Sequence, residues 1–165
     1  PNMIVHTVGG VMSIPRIEKT HGDYCMYHEV YARDCISTWN ILEKLDAEKM
    51  DILEALKLPK LSYVDAAKFR NTLDDDMDAK ESFMVYAEMP TRAKGPTAVD
   101  SRYITEDVSQ GLVMLEALGH YLHVATPVCT ALIEIANAAL KRDMRREGRT
   151  LDQLGMDNIR KIVNN

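Results

Sequence analysis

Apolar side chains recur along this chain at intervals of three and four residues, the spacing that places them on one face of an α-helix. No stretch of four to eight residues alternates β-branched and polar side chains, as a half-buried strand would. A chain of 165 residues is long enough to bury a core of its own. The pattern therefore predicts an all-α fold, a single helical domain of about seven helices. The clearest stripe contains Tyr31, Cys35, Trp39, Leu42, Leu45, Met50, Leu53 and Leu56.

The first predicted helical stretch covers residues 27–58 and ends before Pro59, whose ring cannot continue the hydrogen-bond ladder. Asp46-Ala47-Glu48 has the composition of a helix cap, so the stretch is one long helix or two. Residues 90–101 carry two prolines and a glycine without apolar periodicity, and we interpret them as a loop of functional length.

Capping residues mark the later helices. Ser62 and Asp65 form a capping-box pattern, and Thr126-Pro127 combines an N-cap residue with a proline at the first helical position. Thr105 or Asp107 is expected to begin the helix that follows the loop. Together with an acidic run at 74–78 and a last cap at Asp157, these signals predict helices or helical turns at residues 62–71, 74–88, 108–124, 127–142 and 150–155.

The charge balance and the glycine pattern exclude two classes of binding protein. The net charge is −5, from 20 Lys and Arg against 25 Asp and Glu, whereas a protein that binds nucleic acid presents a basic surface. None of the eight glycines belongs to a phosphate-binding pattern such as G-x-G-x-x-G. We therefore expect no nucleic-acid partner and no phosphate-cradling loop in this chain.

The most apolar stretch, residues 111–140, is interrupted by charged residues, histidines, Gly119 and Thr126-Pro127. Each uninterrupted piece is too short to cross about 30 Å of hydrocarbon, so we expect buried helices and no membrane association. Three cysteines at irregular spacing, without a charged and then apolar leader, suggest reduced thiols and a cytoplasmic protein.

Histidines and cysteines form two loose sets that could suggest a metal site. The first comprises His120, His123 and Cys129, and the second comprises His21, Cys25 and His28. Neither set has the four ligands of a closed zinc site or a familiar catalytic spacing, so we predict no metal. Metal binding through the first set stays open as a minor hypothesis.

Three further residues have ordinary interpretations if spacing alone is considered. His6, beside Gly9-Gly10, is most simply a structural histidine, Asp107 a helix cap, and Arg102 a loop arginine. An imidazole with an ordinary pKa of about 6.5 nevertheless suits proton transfer near neutral pH. Composition and periodicity therefore predict a helical domain but assign no function to it.

Three blocks of sequence change this interpretation. The segment 2–18 with His6-Thr7-x-Gly9, the run 101–113 with Arg102-Tyr103-x-Thr105-Glu106-Asp107, and the tail 142–155 with Arg146-x-Gly148-Arg149-Thr150-Leu151 occur in this order. Together they resemble the helical C-terminal domain of the octopine/nopaline (opine) dehydrogenase family. Ser109 departs from the pattern, because many members have proline there, and this puts the exact helix start in doubt.

The resemblance implies a two-domain enzyme. An N-terminal Rossmann domain would hold NAD or NADP, and residues 1–165 would be the substrate and catalytic domain, similar to the C-terminal part of 6-phosphogluconate dehydrogenases. The family joins an amino acid to a 2-oxo acid, often pyruvate, and reduces the imine that forms. We interpret the start at Pro1 as the domain junction, and expect this chain alone to be inactive.

The resemblance also implies roles for three residues. His6 would be the general acid/base, Asp107 would pair with it, and Arg102 would bind the 2-oxo acid carboxylate. The amino-acid pocket is expected near Tyr24–His28 and the loop 90–101, and the arginines of the tail are expected to be structural.

One alternative stays open beside the enzyme. The apolar faces of residues 112–124 and 128–140 suggest a non-catalytic helical module that dimerises. A homodimer is compatible with both hypotheses, so proximity of His6 to Asp107 is the property that distinguishes them.

Overall fold

The computed structural model describes residues 2–163. Within these residues the chain forms no β-strand, which confirms the all-α prediction, and it has more helical segments than the seven expected. The α-helices are α1 (Asn2–Met12), α2 (Ile14–Thr20), α3 (Met26–Val30), α4 (Ile36–Ala55), α5 (Tyr63–Asn71), α6 (Ala79–Glu88), α7 (Arg102–Glu106), α8 (Val113–Leu122), α9 (Pro127–Leu140), α10 (Met144–Glu147), α11 (Leu151–Leu154) and α12 (Met156–Val163). A π-helical segment, Asp107–Leu112, joins α7 to α8.

Helix α1 lies at the centre of the domain. Every residue from Ile4 to Val11 is buried, and α1 packs against α3, α4, α7, α9 and the π-segment. No helix was predicted before Tyr27, and Gly9-Gly10 and Pro15 do lower the intrinsic preference for helix there. Burial on all sides outweighs that preference, so packing rather than local propensity determines this helix.

The stretch 27–58 forms two helices, but they separate at residues 31–35 rather than at Asp46. Tyr31 is fully buried at this break, and its hydroxyl donates a hydrogen bond to the backbone carbonyl of Val5 in α1. Helix α3 therefore ends where the large side chain of Tyr31 reaches α1. The local periodicity of apolar residues does not reveal this break.

Asp46 and Glu48 lie inside α4 and cap other helices instead of a helix of their own. Asp46 Oδ2 accepts from the Tyr63 backbone N–H at 2.7 Å, at the start of α5. The two oxygens of Glu48 accept from the backbone N–H groups of Val128 and Cys129, each at 2.9 Å. Glu48 is only 1% exposed, so a buried carboxylate on α4 satisfies the first turn of α9.

Several predicted boundaries are confirmed. Helix α5 is capped by Ser62, which accepts from the Asp65 N–H at 3.0 Å, and α9 begins at Pro127. The helix predicted from residue 74 begins five residues later, at Ala79, and Asp78 caps it by accepting from the Glu81 N–H at 2.9 Å. The expected loop separates α6 from α7. None of the helices in residues 2–163 combines the length and the apolar character that crossing a membrane requires.

The final predicted turns are confirmed in part. The side chain of Gln153 accepts from the Thr150 N–H at 3.1 Å, and α11 ends at Gly155 as expected. Asp157 lies in the first turn of α12 rather than capping it. The short α10, capped by Asp143, was not predicted.

The helix after the loop begins earlier than predicted. It starts at Arg102, and Asp107 is an internal residue of a continuous helical rod rather than its cap. In the π-segment the backbone N–H of Val113 bonds to the carbonyl of Val108, five residues back. A π-turn inside an α-helix is frequent at functional sites.

An ion pair between the buried Glu116 and the half-buried Arg145 ties α8 to α10 and makes the stability pH-dependent. Glu116 accepts from Arg145 Nε at 2.6 Å and Nη2 at 2.8 Å, and the Arg145 guanidinium holds the pKa of this carboxyl below its ordinary value of 4.5. Because the pKa of Glu116 is lower in the folded state than in the unfolded state, the ion pair stabilises the fold at pH values above the unfolded-state pKa. This stabilisation is lost as the pH falls through the folded-state pKa.

In urea unfolding, Glu116→Gln should be less stable than the parent at neutral pH, and the difference should shrink below pH 4.5. Glu18→Gln, at an exposed residue, is the control, and a constant difference down to about pH 3 would contradict the assignment.

Candidate functional site

His6 and Asp107, which are 101 residues apart in sequence, are brought into direct contact. The Nδ1–H group of His6 donates to Oδ2 of Asp107 at 2.8 Å. The His6 side chain is 8% exposed and that of Asp107 is 22% exposed, so the pair is sheltered while its carboxylate side reaches solvent. This bond fixes the imidazole tautomer and leaves Nε2 as the nitrogen that can exchange a proton.

Tyr103 holds the face of the same imidazole. The two rings are stacked, with centroids 3.9 Å apart and planes inclined by 12°. No role was predicted for Tyr103. Its position four residues before Asp107 was the available signal, because residues at that spacing share one face of a helix.

A close approach of α1 to the π-segment sets the geometry of the pair. A Cβ atom on Gly111 would lie 2.9 Å from the Cβ of Met3, so a larger residue at this position would force the two elements apart. His6 and Met3 are one turn apart on α1, as Gly111 and Asp107 are on the facing segment. The glycine therefore allows the two backbones to approach closely enough for the side chains of His6 and Asp107 to meet.

An open polar cleft of about 560 Å³ lies beside Asp107. Its walls come from the start of α1, the end of α5, the π-segment and the tail that precedes α11. The lining residues are Asn2, Met3, Arg70, Glu106, Asp107, Gln110, Gly111 and Arg149. Both cationic and anionic groups are present, which suits a small polar ligand better than an apolar one.

The tail reaches this cleft through a main-chain contact with the π-segment. The Arg149 backbone N–H donates to the Ser109 carbonyl at 3.1 Å. A Cβ atom on Gly148 would lie 2.2 Å from that carbonyl oxygen, so glycine is required there. Thr150 begins α11, which is a structural role as expected, whereas Arg149 lines the cleft. Ser109, the departure from the family pattern, supplies the carbonyl that receives the tail.

Arg102 is not brought into the cleft lining. It is exposed at the first residue of α7, immediately before Tyr103. It lies on the same helical rod as Asp107, five residues before it.

The two segments suggested for an amino-acid pocket contact each other. Gly95 N–H donates to the Tyr24 carbonyl at 2.7 Å, and His28 Nε2 donates to the Met89 carbonyl at 3.0 Å. The loop also carries Arg92, whose guanidinium lies 4.3 Å and 3.9 Å from the ring centres of Tyr27 and Tyr86. Such cation–π contacts hold the loop against α3 and α6.

The residues once considered as metal ligands lie apart. Within residues 2–163, no three His, Cys, Asp or Glu side chains are grouped as metal ligands would be. The Cys129 thiol donates to the Leu112 carbonyl at 3.2 Å, and burial raises its pKa to about 12. It therefore stays protonated near neutral pH, which disfavours ligation by this thiol.

Comparison with known proteins is consistent with this geometry. The chain is 31% identical over 125 residues to the opine dehydrogenase of Arthrobacter sp. (strain 1C), covering 74% of this chain and 34% of that protein. It is 25% identical over 157 residues to the vitopine synthase of Allorhizobium ampelinum, covering 94% of this chain and 42% of that protein. A third relative, protein ocs of Agrobacterium vitis, is 26% identical over 114 residues, covering 68% of this chain and 31% of that protein.

The chain thus spans between 31% and 42% of the length of these curated relatives. The family described as NAD/NADP octopine/nopaline dehydrogenase, alpha-helical domain, matches residues 1–140, which include both His6 and Asp107. The chain therefore belongs to the octopine/nopaline dehydrogenase family, whose α-helical domain it contains.

Proposed function

We propose that this chain provides the substrate-binding and catalytic residues of an NAD(P)H-dependent opine dehydrogenase. The enzyme would join the amino group of an amino acid to a 2-oxo acid such as pyruvate and reduce the resulting imine. The observation that carries this proposal is the 2.8 Å contact of His6 with Asp107 beside an open cleft. The names of two relatives, opine dehydrogenase and vitopine synthase, support the same class of reaction.

The cofactor is assigned to a second, Rossmann-type domain, with residues 1–165 as the substrate domain. The nicotinamide, when bound, supplies the hydride that reduces the imine. The cleft fits this arrangement because it is open, is lined mainly by polar and charged residues, and has Asp107, the hydrogen-bond partner of His6, in its wall. NAD and NADP are distinguished by residues of the nucleotide-binding domain.

His6 and Asp107 have defined tasks in this scheme. The amine adds to the 2-oxo acid carbonyl to give a carbinolamine, and the protonated Nε2 of His6 delivers a proton to the hydroxyl group, which leaves as water. Asp107 holds Nδ1–H and stabilises the imidazolium, and Tyr103 keeps the ring in plane for the transfer.

Arg102 is the proposed partner of the 2-oxo acid carboxylate, since a guanidinium binds a carboxylate through two parallel hydrogen bonds.

The test uses the enzyme that contains this chain with its nucleotide-binding domain. We expect oxidation of NADH or NADPH only when an amino acid and a 2-oxo acid are both present. Arg102→Lys should raise KM for the 2-oxo acid by about 10-fold and change KM for the amino acid little. Arg146→Lys, an exposed arginine outside the cleft, is the control. A selective effect of Arg102→Lys on the amino acid would contradict the assignment, and nucleotide oxidation without an amine would contradict the function.

The competing hypothesis of a dimerisation module receives less support. Several large apolar residues of the two proposed faces are buried within the chain itself: Leu112, Val113, Leu115, Leu132 and Ile133. These residues contribute to the core of this chain and are not available to a second copy. A homodimer and a cytoplasmic location remain predictions, and the three free thiols are compatible with the latter.

A further inference from the structure

Two arginines of the cleft have no role in the scheme above. Arg70 lies in the last turn of α5, and Arg149 lies in the tail before α11; both are exposed. Among residues 2–163, the side chain of neither forms an ion pair, although Glu106 and Asp107 line the same cleft. The cleft therefore contains two cationic groups that no carboxylate of the described chain neutralises.

The position of Arg149 is not explained by the stability of the fold. A basic residue in the last turn of a helix, such as Arg70, is favoured by the helix dipole, but Arg149 precedes the first turn of α11, where a positive charge is disfavoured. Its backbone is nevertheless fixed by the contact with Ser109 and by the close packing of Gly148. The structure thus fixes the Arg149 backbone at the cleft, so that this exposed side chain shares the cleft lining with Asp107, and a charged side chain on a fixed backbone is typical of a ligand-binding group.

The ligand class follows from the chemistry of the proposed reaction, on which this inference rests. The secondary amine that forms carries two carboxylates, one from the 2-oxo acid and one from the amino acid. Arg102 is assigned to the first, and the second also needs a cation when it leaves water. We propose that Arg149, assisted by Arg70, binds the α-carboxylate of the amino-acid substrate.

The test compares two substrates in the parent enzyme and in Arg149→Met. One substrate is an amino acid that the enzyme accepts, and the other is the amine obtained by removing its α-carboxylate. We expect Arg149→Met to lower kcat/KM about 100-fold for the amino acid, since a charge-assisted contact is lost. For the amine the two enzymes should agree within about 3-fold, because the carboxylate that Arg149 binds is missing. Arg70→Met should act in the same direction with a smaller effect.

Controls separate this inference from the proposed function. Arg146→Met removes a charge from the same tail segment outside the cleft and should leave all constants unchanged, and circular dichroism should show that each variant is folded. An equal loss for both substrates, or a loss confined to KM of the 2-oxo acid or of the nucleotide, would overturn the role of Arg149 and leave the enzyme class intact. Absence of any amine-dependent oxidation by the parent would overturn the class.

Binding provides a readout that does not depend on turnover. Calorimetric titration of the parent with the N-(carboxyalkyl)amino acid product should give an affinity about 100-fold higher than that of Arg149→Met. The product analogue without the amino-acid carboxylate should bind both proteins equally. Equal affinity of both proteins for the full product, or no binding to the parent, would overturn the inference.

Discussion

Replacing His6 by alanine is expected to lower kcat of the enzyme by about 10²–10⁴-fold, the range that a positioned general acid or base contributes. The proposed mechanism uses this imidazole as the acid, and it is held on its edge by Asp107 and on its face by Tyr103. The measurement is the oxidation of NADH or NADPH at saturating amino acid and 2-oxo acid. KM for both substrates should change far less than kcat, since the side chain acts on a proton and not on a carboxylate.

Two further variants make this expectation specific. Asp107→Asn should also lower kcat while keeping the shape of the side chain, because an amide carries no charge to stabilise the imidazolium. His120→Ala should have almost no effect, since this histidine is exposed and does not line the cleft. Activity of His6→Ala within a few-fold of the parent would remove His6 from the proposed mechanism.

Replacing Glu48 by alanine is expected to destabilise the domain by about 3 kcal/mol. The reason is that the Val128 and Cys129 N–H groups would lose both acceptors at a buried helix start, and unsatisfied buried donors are costly. Thr126, the residue that the sequence offered as the cap of α9, makes no side-chain cap hydrogen bond. Urea unfolding followed by circular dichroism measures the change.

Glu48→Gln is the informative partner of this substitution. One amide oxygen can still accept a bond while the charge near the helix start is lost, so an intermediate stability is expected. Asp51→Ala, on the exposed side of α4, should change the unfolding free energy by less than about 0.5 kcal/mol. A loss for Glu48→Ala no larger than that of Asp51→Ala would show that the cap is dispensable.

Local signals in the sequence predicted those parts of the fold that local chemistry controls. The cap of α5 depends on two residues three positions apart, and the start of α9 is marked by a proline at its first position; both were predicted. Helix α1 and the break after α3 were missed because both depend on burial against distant elements. Glu48 shows the same limit, since its partners are 80 and 81 residues away.

The same distinction between local and long-range interactions applies to the site. Family resemblance pointed to His6 and Asp107, which the fold brings together, and spacing along the helix would have added Tyr103. The position of Arg149 could not be predicted, because it depends on a backbone carbonyl of Ser109 that an ordinary α-helix would use internally. Regular helical spacing therefore does not predict the position of Arg149.

The π-segment also makes the site sensitive to chain length at one point. A π-turn accommodates one residue more than the α-helical path, and each residue of an α-helix turns the chain by about 100°. A single-residue deletion between Asp107 and Leu112 would restore regular winding and rotate the α7 side of the rod relative to α8. The Ser109 carbonyl would then accept a hydrogen bond within the helix instead of the one from the Arg149 N–H. The additional residue of the π-turn thus determines both the alignment of Asp107 with the imidazole and the alignment of the tail with the cleft.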